Sequence, residues 1–149
     1  MINKENMINE KSLVLGLNLA VSPYSMAAFK DGKLVFSYSI QSGYEFSELV
    51  DVQIDQRLSE HGYSLNDVSS IGVVVGPGTY TGVRISVVTA KTISQVLRVP
   101  VFSINSLDTL IYPFRGSDGV YFSIIPSRKG ELNVGMFSVF DNTYTRILP

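Results

Sequence analysis

The sequence has no cysteine and a single histidine, His61. The lack of cysteine excludes disulfides, thiolate metal sites and a cysteine nucleophile, and one histidine cannot build a multi-histidine metal site. The 12 basic residues nearly balance the 13 acidic ones, so the basic excess of a dedicated nucleic-acid-binding protein is missing. No apolar run is long enough to cross a bilayer. We therefore predict a cytoplasmic protein with no membrane segment, no direct nucleic-acid binding, no metal and no cofactor.

The composition is that of an ordinary globular protein. Of the 149 residues, 45% are hydrophobic and 17% are charged, which is enough apolar material for a real core. Residues 1–11 are polar, without the apolar segment of a signal peptide, and are predicted to be a flexible extension. Residues 44–75 hold six acidic residues against a single arginine, Arg57. This acidic block is either a solvated helix face or a docking surface for a basic partner.

Apolar periodicity and turn residues predict an α/β fold with a mixed sheet. The Asp31-Gly32 pair predicts a hairpin turn, and apolar residues every fourth position from Phe46 to Leu58 predict a helix. Ser42 with Glu45 matches a capping box at its start, and Gly62 ends it. The predicted strands are 12–17, 24–29, 34–40, 70–75, 99–104, 120–125 and 132–140, and the predicted helices are 44–61, 83–97 and 105–112.

A glycine-rich segment links a predicted buried strand to the helix at 83–97. Its residues are Gly76, Pro77, Gly78, Thr79, Tyr80, Thr81 and Gly82. A strand, a glycine-rich turn and a helix N-terminus can bind phosphate through backbone N–H groups. The segment has neither the Walker lysine nor the dinucleotide fingerprint. Phosphate contact and a tight structural turn therefore both remain open.

Residues 75–85, VGPGTYTGVRI, resemble the GPGSFTGLRI signature of the TsaB family, also called YeaZ, whose members are bacterial partners in making threonylcarbamoyladenosine in tRNA. Further matches follow in order over about residues 12–140. They are Val14–Ala20, Phe46–Glu48, Thr89–Lys91, Pro100-Val101, Ser106–Asp108 and Arg128–Glu131. Asn18 stands where active relatives of this fold have an aspartate that orients Mg-phosphate, and Phe46 replaces the family's histidine.

The resemblance implies an actin-like (ASKHA, ribonuclease H-like) lobe with a mixed sheet over residues 12–112. It also implies the start of a second lobe over 113–149, truncated relative to the family. It implies a non-catalytic partner of TsaD, which carries the metal and transfers the threonylcarbamoyl group, with TsaE as a further partner. Alone, the chain is expected to be a homodimer.

The family's partner surface is formed by the helices that match residues 44–61 and 79–97. The residues expected at this interface are Phe46, Leu49, Val50, Gln53, Arg84, Val87, Val88 and Lys91. The helix at 83–97 is apolar nearly all round, so it must be covered on two sides. The apolar pattern of the helix at 83–97 and the family resemblance therefore both predict a partner surface on this helix.

Two other function classes remain open on sequence. One is an enzyme of the actin-like class, either a nucleotide-binding hydrolase or transferase or a peptidase-like protein. Ser103, Ser106 and Asp108 suggest a triad, but a triad needs a positioned base, and His61 is distant in sequence. The other is a shortened paralogue that acts only as a dimerising module. No catalytic residue is predicted.

Overall fold

A computed structural model of the protein describes residues 13–41 and 49–148. The predicted extension over residues 1–11, the predicted capping box at Ser42 and Glu45, and the expected interface residue Phe46 lie outside the described residues. Within the described segments, no helix is both long and apolar enough to cross a membrane.

The first three strands form an antiparallel meander, with the predicted hairpin between the second and third. They are β1 (Leu13–Asn18), β2 (Tyr24–Lys30) and β3 (Lys33–Ile40), with β2 paired to both of its neighbours. Asp31 and Gly32 join β2 to β3 with φ values of 52° and 74°. Both values lie in the left-handed region that Asp-Gly turns adopt at tight hairpins.

The next elements complete a five-stranded mixed sheet. They are α1 (Val50–Glu60), β4 (Val68–Val74), α2 (Tyr80–Leu97) and β5 (Val101–Ile104). The strand order is β3-β2-β1-β4-β5, and β4 runs parallel to both β1 and β5. The predicted mixed sheet is thus confirmed, with helices in the connections as parallel strands require.

One hydrophobic core joins this sheet to both helices. The odd-numbered residues of β1 point into this core, because side chains alternate between the two sides of a strand. The core residues include Leu13, Leu15 and Leu17 of β1, Val50, Ile54 and Leu58 of α1, and Ala90 and Ile93 of α2. Gly62, at φ 76°, ends α1, and the Tyr63 N–H bonds back to the Leu58 carbonyl at 3.0 Å. This is the predicted glycine-terminated helix end.

A second, smaller unit follows β5. The short helix α3 (Ser106–Ile111) packs on an antiparallel sheet of β6 (Gly119–Pro126), β7 (Leu132–Phe140) and β8 (Thr143–Leu148). Five residues form its core, namely Leu107, Ile111, Ile125, Phe137 and Val139. Strand β8 was not predicted from the sequence.

Candidate functional site

The glycine-rich segment ties three elements together. Thr79 caps α2, with its Oγ1 accepting from the Gly82 N–H at 3.3 Å, and its own N–H donates to the Ala20 carbonyl at 2.8 Å. The Ser106 N–H, where α3 begins, donates to the Gly76 carbonyl at 2.9 Å. The turn therefore fixes the end of β1, the start of α2 and the start of α3 against one another. The Thr79 and Gly82 amides already have acceptors, which favours the structural interpretation of the turn.

Two of the glycines are required by close backbone approach. A Cβ added to Gly78 would lie well inside 3.0 Å of the Ala20 carbonyl oxygen, and one added to Gly82 would overlap the Leu19 carbonyl oxygen. Neither glycine has a positive φ, whereas Gly76 does, at 105°. Glycine is therefore needed at Gly78 and Gly82 because the loop after β1 passes directly over them.

Asn18 is fully engaged within its own loop. Its Oδ1 accepts from the Ala20 and Val21 N–H groups at 3.2 and 3.4 Å, and its Nδ2 donates to the Val21 and Pro23 carbonyls at 3.1 and 3.2 Å. An ionised aspartate could accept the first two bonds but could not donate the other two. The amide here shapes the turn after β1 and does not stand in for a metal-orienting carboxylate.

A cleft of about 350 Å³ lies between the glycine-rich segment and the second unit. Its lining residues are Ala20, Val21, Ser22, Tyr24, Gly78, Thr79, Leu110, Ile124, Ile125 and Pro126. None of these side chains is charged, so the cleft offers no cation for a phosphate and no carboxylate for a metal. Over residues 13–41 and 49–148, no cluster of three or more histidine, aspartate or glutamate residues could hold a metal ion.

A second surface, here called the helix face, is formed by the exposed sides of α1 and α2. The two helices share a groove of about 340 Å³ lined by Val50 and Ile54 from α1 and by Ile85 and Val88 from α2. A further groove of about 420 Å³ runs along α2 from Tyr80 to Thr89. The helices therefore lie side by side, as the resemblance implies.

The expected interface residues are distributed unevenly over the helix face. Leu49, Arg84, Val88 and Lys91 are exposed, and Val88 retains 55% of its surface. Gln53 and Val87 are partly buried. Val50 is only 5% exposed and belongs to the core. Charging Val50 would therefore disrupt the core as well as the surface.

The two helices carry opposite charge on this face. Exposed Asp51 and Asp55 lie on α1, whereas exposed Arg84 and Lys91 lie on α2. Near the end of α1, Arg57 donates a hydrogen bond to Glu60 at 2.8 Å, and this bond lowers the pKa of that carboxyl.

Tyr80, the first residue of α2, is a large exposed aromatic that the sequence analysis did not assign to the interface. The signal that could have identified Tyr80 as an interface residue was its position in the GPGTYTG segment, directly before the predicted helix.

Comparison with known proteins relates this chain to the TsaD and TsaB proteins. The family model "TsaD: tRNA N6-adenosine threonylcarbamoyltransferase" matches residues 41–147. A TsaB threonylcarbamoyladenosine biosynthesis protein of Bacillus subtilis is 26% identical over 91% of this chain and 59% of its own length. A tRNA N6-adenosine threonylcarbamoyltransferase of Methylobacterium is 40% identical over 50% of this chain and 22% of its own.

Among solved structures, YeaZ from Pseudomonas aeruginosa superposes with a TM-score of 0.82 at 21% identity. The match covers 93% of this chain and 65% of that one, and it confirms the predicted actin-like α/β fold. The chain spans less than two thirds of the length of each of these relatives. Because the family model covers well over half of the chain, the chain belongs to the TsaD family that this model describes, and within it resembles the TsaB (YeaZ) proteins.

Proposed function

We propose that this chain is a non-catalytic partner of TsaD in the synthesis of threonylcarbamoyladenosine next to the anticodon of tRNA. The TsaB relatives support the pathway. The observation that carries the partner role is the helix face, where two adjacent helices share grooves lined by apolar residues together with threonines and charged side chains. Exposed apolar patches rimmed by polar residues mark protein contacts.

The non-catalytic part of the proposal is supported by the chemistry of the cleft. Its lining has hydroxyl groups at Ser22, Tyr24 and Thr79 but no acid, base or cation. Asn18, which replaces the expected aspartate, is committed to hydrogen bonds in its own loop. Acid–base catalysis needs a suitable acid or base within reach of the reacting atoms, and the described cleft lining contains no histidine, carboxylate or lysine.

We expect the purified chain to hydrolyse neither ATP nor peptides above the rate of a heat-inactivated control. The measurement is phosphate release for ATP and fluorescence release from a mixed peptide library. Turnover that survives repurification and is lost on a single cleft substitution, such as Ser22→Ala, would favour the enzyme alternative.

Introducing a charged residue at the centre of the helix face tests whether this surface binds TsaD. Val88→Glu should weaken binding to the TsaD of the same cell by at least about 30-fold, because a carboxylate buried without a partner costs about 2 kcal/mol or more. Leu34→Glu is the matched control, since Leu34 on β3 is 56% exposed and lies outside the helix face. Both variants should keep wild-type thermal stability to within about 0.5 kcal/mol.

Isothermal titration with purified TsaD provides the measurement. The proposal predicts binding by wild type and Leu34→Glu and weakened binding by Val88→Glu. Wild-type protein that self-associates but does not bind TsaD would support the dimerising-module alternative instead. An equal loss of TsaD affinity in both glutamate variants would mean that TsaD does not bind specifically at the helix face. Binding of TsaE, which the resemblance also implies, stays a prediction.

A further inference from the structure

The loop after β1, residues 19–23, connects the two units of the chain. The first unit is the five-stranded sheet with α1 and α2, and the second is α3 with the sheet of β6, β7 and β8. Val21 belongs to this loop and packs against the core of the second unit. Among the partly buried apolar side chains that pack on this core within residues 13–41 and 49–148, Val21 alone comes from the first unit. This valine therefore links the first sheet to the second core.

Asn18 holds Val21 by both of its backbone polar groups. The Val21 N–H donates to Asn18 Oδ1 at 3.4 Å, and the Val21 carbonyl accepts from Asn18 Nδ2 at 3.1 Å. An amide can accept one of these bonds and donate the other, whereas an ionised carboxylate can only accept. The two bonds fix the peptide groups on both sides of the Val21 Cα, so they set the direction in which its side chain points.

The glycine-rich segment holds the same loop from the side of α2. The Ala20 carbonyl accepts from the Thr79 N–H at 2.8 Å, and a Cβ added to Gly78 would clash with Ala20. Leu19 and Ala20 are also fully buried. Loops are usually more mobile than the elements they connect, but this one is fixed at Ala20 by α2 and at Val21 by Asn18. The position of Val21 is therefore set by the first unit.

A second contact joins the units close to this one. The N–H of Ser106, the first residue of α3, donates to the Gly76 carbonyl at 2.9 Å. Because Gly76 and Thr79 belong to the same glycine-rich segment, the loop after β1 and the start of α3 are anchored to one element. Two separated contacts restrict the rotation of one unit against the other more than a single contact does. None of the described residues that line the cleft between the units is charged, so none offers an ionic contact to a ligand that would bridge them.

We propose that Asn18 and Val21 form a fixed joint that holds the second unit in one orientation relative to the first sheet, without a ligand in the cleft. Asn18 is the positioning residue, and Val21 makes the contact. Units that share a small contact surface usually move relative to each other, and the joint predicts the opposite for this chain. The proposal concerns the internal geometry of the chain and does not depend on whether the helix face binds TsaD.

The joint is tested by measuring the distance between two spin labels, one on each unit, by double electron–electron resonance. The chain has no cysteine, so labels attach only at Gln95→Cys on α2 and Thr145→Cys on β8, where both native residues are exposed. Excess unlabelled protein restricts the measured distances to those within one copy. With Asn18 and Val21 intact, we expect a narrow distance distribution that Mg-ATP, the ligand of the nucleotide-binding alternative, does not shift. A broad distribution, or one that Mg-ATP shifts, overturns the proposal.

Val21→Ala should broaden the distance distribution, because it removes packing against the second core and keeps both backbone bonds to Asn18. Val35→Ala is the matched control. Val35 on β3 is also partly buried, but it packs against the first core. This control should lower thermal stability to a similar extent and leave the distribution narrow. Broadening by both variants, or by neither, contradicts the proposal.

Asn18→Asp should also broaden the distribution. The double variant with Val21→Ala should be no broader than the wider of the two single variants, since residues that act through one contact do not have additive effects. Asn105→Asp is the control, because Asn105 caps α3 through its side-chain oxygen alone, and it should leave the distribution narrow. Additive broadening contradicts the role given to Asn18. If Asn18→Asp does not fold, the comparison of Val21→Ala with Val35→Ala decides whether the joint exists.

Discussion

Replacing Gly82 with alanine is expected to lower the free energy of unfolding by about 3 kcal/mol, which is the upper part of the usual range for forcing atoms into packed structure. The added Cβ would overlap the Leu19 carbonyl oxygen and crowd Thr79 Oγ1. Both neighbours are fixed, because Leu19 is fully buried and Thr79 caps α2. Neither α2 nor the loop after β1 can move without breaking the Thr79 N–H bond to Ala20. Urea unfolding followed by circular dichroism gives the measurement.

Gly116→Ala is the matched control. Gly116 has open space around its Cα and no left-handed φ, so this substitution should change stability by no more than about 0.5 kcal/mol. If Gly82→Ala were as mild as Gly116→Ala, the tight-turn interpretation of the glycine-rich segment would be wrong. Phosphate contact would then be the remaining role for these glycines.

Replacing Asn18 with aspartate, the residue that the family resemblance implies at this position, is expected to destabilise the chain by about 2–3 kcal/mol. The substitution removes both hydrogen bonds donated by Nδ2 and sets a carboxylate against the Val21 and Pro23 carbonyl oxygens. The Val21 bond is part-buried, and leaving such a group without a partner costs about 1–3 kcal/mol, and more when a charge is involved. Thermal and urea unfolding at neutral pH measure the loss.

Asn105→Asp makes the same chemical change where only the oxygen is used. Asn105 caps α3, and its Oδ1 accepts from the Leu107 N–H at 2.8 Å. Asparagine and aspartate are equally good at this position, so the change should stay within about 0.5 kcal/mol. Recovery of the Asn18→Asp variant by Mg²⁺, with Asn105→Asp unaffected, would show that the loop can hold a cation. We expect no such recovery, because the cleft supplies no second carboxylate.

Much of the first sheet could be predicted because its signals are local. The Asp31-Gly32 turn specifies a hairpin by its own backbone preference, and β1 and β4 carry short apolar runs. Helix α2 was identified against its β-branched composition because no glycine or proline interrupts residues 83–97. The structure begins it at Tyr80, since Thr79 supplies the cap. That start was missed because threonine is common both in caps and in loops.

The features that could not be predicted depend on distant segments. The reason for glycine at Gly78 and Gly82 lies in the carbonyls of Leu19 and Ala20, far away in sequence. The apolar periodicity of α1 was visible, but which of its residues face the sheet was not, so Val50 was expected at the interface and lies in the core. Strand β8 is an exception, because the Asp141-Asn142 pair was a local turn signal that was not used. In the structure both residues adopt left-handed φ values, 50° and 58°, at the hairpin turn.

The junction at the glycine-rich segment also constrains when the first sheet can be completed on the ribosome. Its hydrogen bonds join Ala20 to Thr79 and Gly76 to Ser106, so they draw on three separated stretches of the chain. The β2–β3 hairpin needs only local residues and can form as soon as it leaves the exit tunnel. The parallel β1–β4 pairing requires closure of a long loop, seen in the Ser69 Oγ bond to the Leu13 carbonyl across 56 positions. The nascent chain therefore carries an unfinished apolar sheet until α3 has been synthesised, and chaperones have that interval in which to bind it.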